Sequence, residues 1–196
     1  MKLIFIRHGM TRGNLEHRYV GRTDEPLLYG YQEKINTDDY PAADIVFTSG
    51  MLRSRQTAHM IYPDVNTVSD HRLDEMDFGD FEYKNYHELK DNAAYQRYID
   101  SYGKEAFPNG EDIKSFKNRC KEGFLSCVNR AESQKCPNVA FVIHGGSIMA
   151  ILEAFAYPAQ DYFTWQVKNN HGFVFELSHR DGINGEVTRL HMVKEI

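Results

Sequence analysis

The sequence predicts a three-layer α/β/α fold: a mostly parallel sheet covered by helices on both faces, with a small helical insertion over the active face. Three observations predict it. Lys2 to Arg7, Asp44 to Thr48 and Val139 to His144 are continuous apolar runs rather than alternating ones, the pattern of strands buried on both faces. The second and third are each followed by a small or polar turn and then a helical pattern, Leu52 to Tyr62 and Ser147 to Tyr157. With 196 residues, 41% of them hydrophobic and 26% charged, the chain can bury a full core and has ordinary globular usage.

Further along the chain, Asp112 to Ala131 is an amphipathic helix. Ile113, Phe116, Cys120, Phe124, Cys127 and Ala131 recur at three- and four-residue spacing on one face. Pro108-Asn109-Gly110 punctuates its start, and acidic Glu111 and Asp112 fall in the first turn, where the helix dipole favours them. Phe173 to Leu177 and Glu186 to Met192 read as two strands around an Asp181-Gly182…Asn184-Gly185 turn, a hairpin that closes the sheet. Tyr83 to Phe107 is tyrosine-rich and partly helical. No repeat, low-complexity run or linker divides the chain, so residues 1–196 form a single domain, with 83–110 as a cap-like insertion.

Composition narrows the function. The net charge of −5 weighs against nucleic acid as main partner. No apolar stretch is long enough for a membrane span or a secretory leader. Cys120, Cys127 and Cys136 are an odd set without CxxC spacing, which reads as reduced thiols in a cytoplasmic core rather than a disulfide framework or zinc site. If the ligand is an anion, a few clustered cations must hold it.

Ligands in open α/β sheets bind beyond the carboxyl ends of the strands. Two histidines fall at such ends, His8 after the first strand and His144 at the end of the third. Gly9 follows one and Gly145-Gly146 the other, letting a substrate approach the backbone. Arg7 and Arg53 supply planar, permanently charged forks suited to phosphate oxygens. Together these residues describe an oxyanion pocket. His17, His59, His71, His87, His171, His179 and His191 are read as structural or surface residues.

Arg7-His8-Gly9-Met10-Thr11 with Asn14 resembles the RHG-x-T-x-x-N signature of the histidine phosphatase superfamily, also called phosphoglycerate mutase-like. The resemblance continues in order. Gly21 to Leu27 resembles G-x-x-D-x-P-L, and Ser49 to Ala58 resembles S-P-L-x-R-A-x-Q-T-A. Leu73-Asp74-Glu75 with Phe78 to Glu82 is similar to L-x-E…F-G-x-W-E-G; Pro108 to Glu111 matches P-x-G-E, and Val142 to Gly146 resembles V-x-H-G-G.

The resemblance implies a phosphomonoester hydrolase that splits a hard displacement into formation and hydrolysis of a phosphohistidine. Carried over, His8 is the nucleophile, neutral, with its other ring nitrogen donating to a backbone carbonyl. Arg7, Arg53, Asn14 and His144 hold the phosphoryl oxygens, with Gly21 and Gly145 as further substrate contacts. Glu75 protonates the leaving oxygen and then deprotonates water, with Asp74, Asp77, Asp80 and Glu82 as nearby acidic alternatives. Glu82 is otherwise read as one half of a structural ion pair, and Asn14 as the cap of a helix beginning near Leu15. The cations come from side chains, so no metal or cofactor is implied.

The chain departs from the family pattern at Gly50-Met51, Phe81 and Tyr83, which stand for Pro-Leu, tryptophan and glycine; these read as packing variations. Leu28 to Gln32 is shorter than the usual helix entry, and Asp38-Asp39 before Pro41 shortens the helix further, so that helix should be truncated. The mutases of the family carry an insertion with clustered basic residues. Here Lys84, Lys90, Arg97 and Lys104 are scattered among Tyr86, Tyr95, Tyr98 and Tyr102, which favours a phosphatase of a small phosphorylated metabolite, in the α-ribazole or sugar-phosphate branches. The tyrosines either stack on a substrate ring or pack the subdomain or a homodimer face. Rival readings are mutase-type transfer, a silent phospho-ligand binding module and a hydrolytic zinc enzyme. Retention of His8 and Arg7 disfavours the module, and the absence of HExxH spacing disfavours the zinc enzyme.

Overall fold

The register of the central strands explains where the site must lie. In the computed structural model, which describes residues 1–101, 105–182 and 185–196, β1 (Lys2–Arg7) lies parallel to β4 (Asn138–Ile143), and β4 lies parallel to β2 (Ile45–Thr48). Phe5 pairs with Phe141, and Phe141 with Phe47, so three rings form a ladder with centroids 5.2 and 5.5 Å apart. Because the side-chain period is two, the alternate residues serve the other face. Leu3, Phe5, Ile45, Phe47, Val139 and Phe141 pack with α5 (Ile113–Ser133) and α6 (Gly145–Phe155), whereas Ile4, Ile6, Val46, Ala140 and Val142 pack with Ala58 and Ile61 of α2 (Leu52–Ile61). Strands buried on both sides give the expected three layers.

The full order is β3-β2-β4-β1-β6-β7-β5, with β3 (Thr67–Ser69), β5 (Ala156–Tyr157), β6 (Gly172–Gly182) and β7 (Gly185–Glu195). Among the described residues β3–β2, β2–β4, β4–β1 and β7–β5 pair parallel, and β1–β6 and β6–β7 antiparallel, so the sheet is mixed but mostly parallel. Asn184 of the expected hairpin turn lies outside the described residues.

Several boundaries move. The last long helix starts at Gly145 rather than Ser147 and ends at Phe155, because Ala156 and Tyr157 leave it to pair with Leu190 and His191. Asp112 is not inside the first turn of α5 but caps it, its carboxylate accepting from Ser115 N at 2.9 Å. The short helix α1 (Arg12–Leu15) begins four residues after His8, with Thr11 as cap; Asn14 is the third residue of its capping box, not the cap of a helix near Leu15. In place of the helix after Leu27 are two single 3₁₀ turns, Tyr31–Lys34 and Thr37–Asp39. Cys120 and Cys127 are buried as free thiols, and burial pushes both up to about 12, while Cys136 is partly exposed.

Segment 83–110 carries α3 (Tyr86–Leu89) and α4 (Ala93–Asp100). Tyr95 is 3% exposed and meets Tyr19 and Phe81, while Tyr98 lies against Phe107 at 4.5 Å, so these rings pack against one another. Tyr83 occupies the family's glycine position with φ +60°, a left-handed conformation that costs a bulky residue energy. Its hydroxyl donates to Glu25 Oε2 at 3.1 Å and Arg18 lies 5.2 Å over its ring. Tyr102 and Lys104 lie outside the described residues.

Candidate active site

Arg7 pairs with Ile143 across the β1–β4 ladder, so the residues after them, His8 and His144, emerge side by side at the carboxyl edge of the sheet. The His8 main-chain N–H continues the ladder to Ile143 O at 2.9 Å. Their rings meet edge to face, 5.0 Å between centroids, and both side chains are buried. The strand pairing alone therefore brings together residues 136 positions apart.

The hydrogen bond of His8 defines its tautomer. His8 Nδ1 donates to Gly9 O at 2.6 Å; a carbonyl can only accept, so Nε2 keeps the free lone pair. His144 Nε2 lies 2.7 Å from Ser49 Oγ, which already accepts from Met51 N at 3.2 Å. With Ser49 donating to Nε2, His144 carries its proton on Nδ1. That nitrogen is buried and has no partner among the described residues.

Burial, reinforced by Arg53 and Arg7, holds His8 well below the ordinary imidazole value, and burial with Arg53 and His8 does the same to His144. Both rings are neutral. The unfolded chain takes up protons near 6.5 while these native rings do not, so their contribution to stability is full above 6.5 and is lost as pH falls below it. Urea midpoints measured on either side of that value should therefore fall on the acid side, and fall less in His144→Gln.

Arg7 and Arg53 frame the histidines. Arg7 Nη1 donates to Val167 O at 2.8 Å. Arg53, wholly buried at the start of α2, gives Nη1 to Thr23 O (2.8 Å) and Nη2 to Gly21 O (2.8 Å) and Val20 O (3.3 Å). In both guanidiniums Nε is buried without a partner among the described residues. Gly21 admits no side chain, since a Cβ would stand 1.9 Å from Met76 O. Asn14 accepts through Oδ1 from Thr11 N (3.3 Å) and from Asn169 Nδ2 (3.1 Å), which also donates to His8 O (2.9 Å).

Among the acidic candidates, Glu75 lies at the site. Its Oε2 accepts from Gly146 N at 3.0 Å and its Oε1 from Met76 N at 3.0 Å. Asp74 is committed to Gly50 N and His71, Asp77 to Arg22 and Gly79 N, and Asp80 to Asn109. Glu82 makes no ion pair among the described residues: it accepts from the main-chain N–H groups of Gly21, Thr23 and Phe78 instead, fixing the loop that Arg53 grips. The two glycines after His144 differ. A Cβ on Gly146 would stand 2.2 Å from Glu75 Oε1, one on Gly145 no closer than 3.5 Å to Arg7. Gly146→Ala should therefore displace the Glu75 carboxylate, with Gly145→Ala much milder; comparison of the two variants' activity with that of the parent protein checks this.

Sequence reasoning missed Ser49, Asn169 and Val167. Ser49 heads a quoted motif, so a signal was present; Asn169 and Val167 sit in a loop without one. Among the described residues no three His, Cys, Asp or Glu gather as a metal site, and no helix is long and apolar enough to cross a membrane.

Comparison with known proteins sets this geometry among relatives. The sequence model of the histidine phosphatase superfamily (branch 1) matches residues 3–185. The adenosylcobalamin/alpha-ribazole phosphatase of Escherichia coli K12 is 28% identical over 178 residues, covering 85% of each chain. An uncharacterized phosphatase, PhoE, of Bacillus subtilis 168 is 33% identical over 151 residues, 75% of this chain and 73% of its own. Phosphoglycerate mutases align as well, one from Gloeobacter violaceus at 30% over 76% of this chain and 73% of its own. The crystal structure of the alpha-ribazole phosphatase from Shigella flexneri superposes with a TM-score of 0.76 at 24% identity, over 97% of this chain and 95% of that one.

Proposed function

This chain belongs to the histidine phosphatase superfamily, branch 1, and from that membership we propose that it hydrolyses small phosphomonoesters through a phosphohistidine on His8. One observation carries the reading. Three buried donors, Arg7 Nε, Arg53 Nε and His144 Nδ1, stand without partners among the described residues in a site that also holds a neutral imidazole lone pair. Buried polar groups are ordinarily satisfied, so three such donors at one site fit an oxyanion with several acceptor oxygens.

His8 Nε2 attacks phosphorus, and the bond to the leaving oxygen breaks as that oxygen takes a proton from Glu75. The guanidiniums, His144 and Asn14 stabilise the negative charge on the transferring phosphoryl oxygens. Glu75, now a carboxylate, takes a proton from water, which attacks the phosphohistidine and frees His8 and inorganic phosphate. Side chains supply every charge in this sequence, so hydrolysis should persist in the presence of a chelator.

Water as acceptor, rather than a second substrate alcohol, is favoured by the scatter of cations in segment 83–110, which we read as a cap. Lys84 is tied to Asp80 O and Arg97 faces Glu105. The E. coli relative named for adenosylcobalamin and α-ribazole makes a nucleoside-like phosphate the first substrate to try. A panel of phosphomonoesters assayed with and without EDTA tests the proposal: hydrolysis of none, or hydrolysis lost with the chelator, would count against it.

A further inference from the structure

We propose that Arg119, oriented by Glu111, is a positioning residue for Glu75: it grips the main chain of residues 72–75 and so fixes where the proton donor sits. The inference rests on the reading of Glu75 as general acid and base. It also gives a physical task to the Pro108-Asn109-Gly110-Glu111 motif, which the phosphoryl chemistry leaves unused.

The geometry is specific. Arg119 Nη1 donates to Arg72 O at 3.0 Å and Asp74 O at 2.7 Å, and Nη2 donates to Glu75 O at 3.0 Å. The remaining edge of the fork meets Glu111, with Nε to Oε1 at 2.6 Å and Nη2 to Oε2 at 2.7 Å. A planar guanidinium held bidentately by a carboxylate has its other donors aimed in fixed directions. Both side chains are largely withdrawn from solvent, Arg119 at 24% and Glu111 at 19% exposure.

Glu111 is placed by its turn. Asn109 has φ +56°, and the Glu111 N–H donates to Asp77 O at 2.9 Å. Close approach of α5 supplies the other half, since Gly123 faces Arg72, where a Cβ would meet the Arg72 side chain at 2.9 Å. Ser147 of α6 adds a bond from its Oγ to Leu73 O at 2.9 Å. Two helices thus hold the 72–75 carbonyls, while the Glu75 carboxylate is anchored separately at Gly146 N and Met76 N. Loss of Arg119 would free the main chain that carries Glu75 without touching His8 or the phosphate cations.

The test compares Arg119→Met, Arg119→Lys, Glu75→Gln and the double variant on p-nitrophenyl phosphate and glycerol 2-phosphate, by rapid quench and steady state. An activated phenolate leaves with little protonation; an alkoxide needs it. A misplaced catalytic group can cost roughly 10²-fold, so Arg119→Met should slow glycerol 2-phosphate by about that factor in kcat with KM unchanged. The p-nitrophenyl burst should slow far less, and Arg119→Lys should recover part of the loss. In the Glu75→Gln background, adding Arg119→Met should cost nothing further.

Equal losses on both esters, or losses that multiply in the double variant, would overturn the positioning role and leave Glu75 as donor untouched. Absence of leaving-group discrimination in Glu75→Gln itself would remove the donor, and the positioning role with it. If Arg119→Met does not fold, Glu111→Gln carries the same comparison, because it removes the anchor and leaves the guanidinium in place.

Discussion

His8→Ala is expected to abolish turnover on every phosphomonoester while the protein stays folded. The substitution removes the Nε2 lone pair, for which the site offers no replacement: the neighbouring His144, with Ser49 donating to its Nε2, presents a proton and not a lone pair. Stability should survive because, among the described residues, the His8 side chain bonds only to the adjacent Gly9 carbonyl, and the main-chain bond from His8 N to Ile143 O is kept. Circular dichroism and a melting curve beside the assay separate the two effects. Near-normal hydrolysis by the folded variant would refute the nucleophile.

Arg53→Lys should be almost as damaging, although the charge is kept. The guanidinium does two things at once: it offers Nε toward the anion, and it satisfies carbonyls of Val20, Gly21 and Thr23. An ammonium is a compact donor that cannot span both. Losing one such transition-state donor typically costs about 10²–10³-fold in kcat, and each buried carbonyl left unpaired costs about 1–3 kcal/mol. Lower kcat and a lower melting temperature are therefore expected together. An effect confined to KM would mean that Arg53 contributes equally to ground-state and transition-state binding, and unchanged kinetics with a lower melting temperature would make it purely structural.

What the sequence discloses of this fold depends on how locally each element is encoded. β1, β2 and β4 are legible because strands buried on two faces must be apolar throughout, and their C-terminal residues mark the site edge. β3 is not: Thr67-Val68-Ser69 is short and polar, and it is a strand only because β2 lies beside it. Gly145-Gly146 reads as a turn, yet both belong to α6, where Gly146 offers its N–H to Glu75 and its missing Cβ leaves room for that carboxylate.

The same distinction divides the site. His8, Arg7, Arg53, His144 and Glu75 stand in motifs visible in the sequence. Their supports are less so, because each depends on a contact made far along the chain, even for Ser49, which heads a motif. Ser49 meets a histidine 95 positions away, and Asn169 reaches the His8 carbonyl across 161. Glu82 had the right type for an ion pair, but main-chain N–H groups reach it first.

Rapid-quench trapping of the phosphoenzyme tests the central claim most directly. Because Nδ1 of His8 donates to Gly9 O, the free lone pair is on Nε2, and the intermediate should be an Nε2-phosphohistidine. After milliseconds with labelled p-nitrophenyl phosphate and an alkaline quench, the account predicts acid-labile, base-stable label on the peptide containing His8, at Nε2, accumulating further in Glu75→Gln. Label on another residue, label on Nδ1, or turnover without any label on His8 would contradict it.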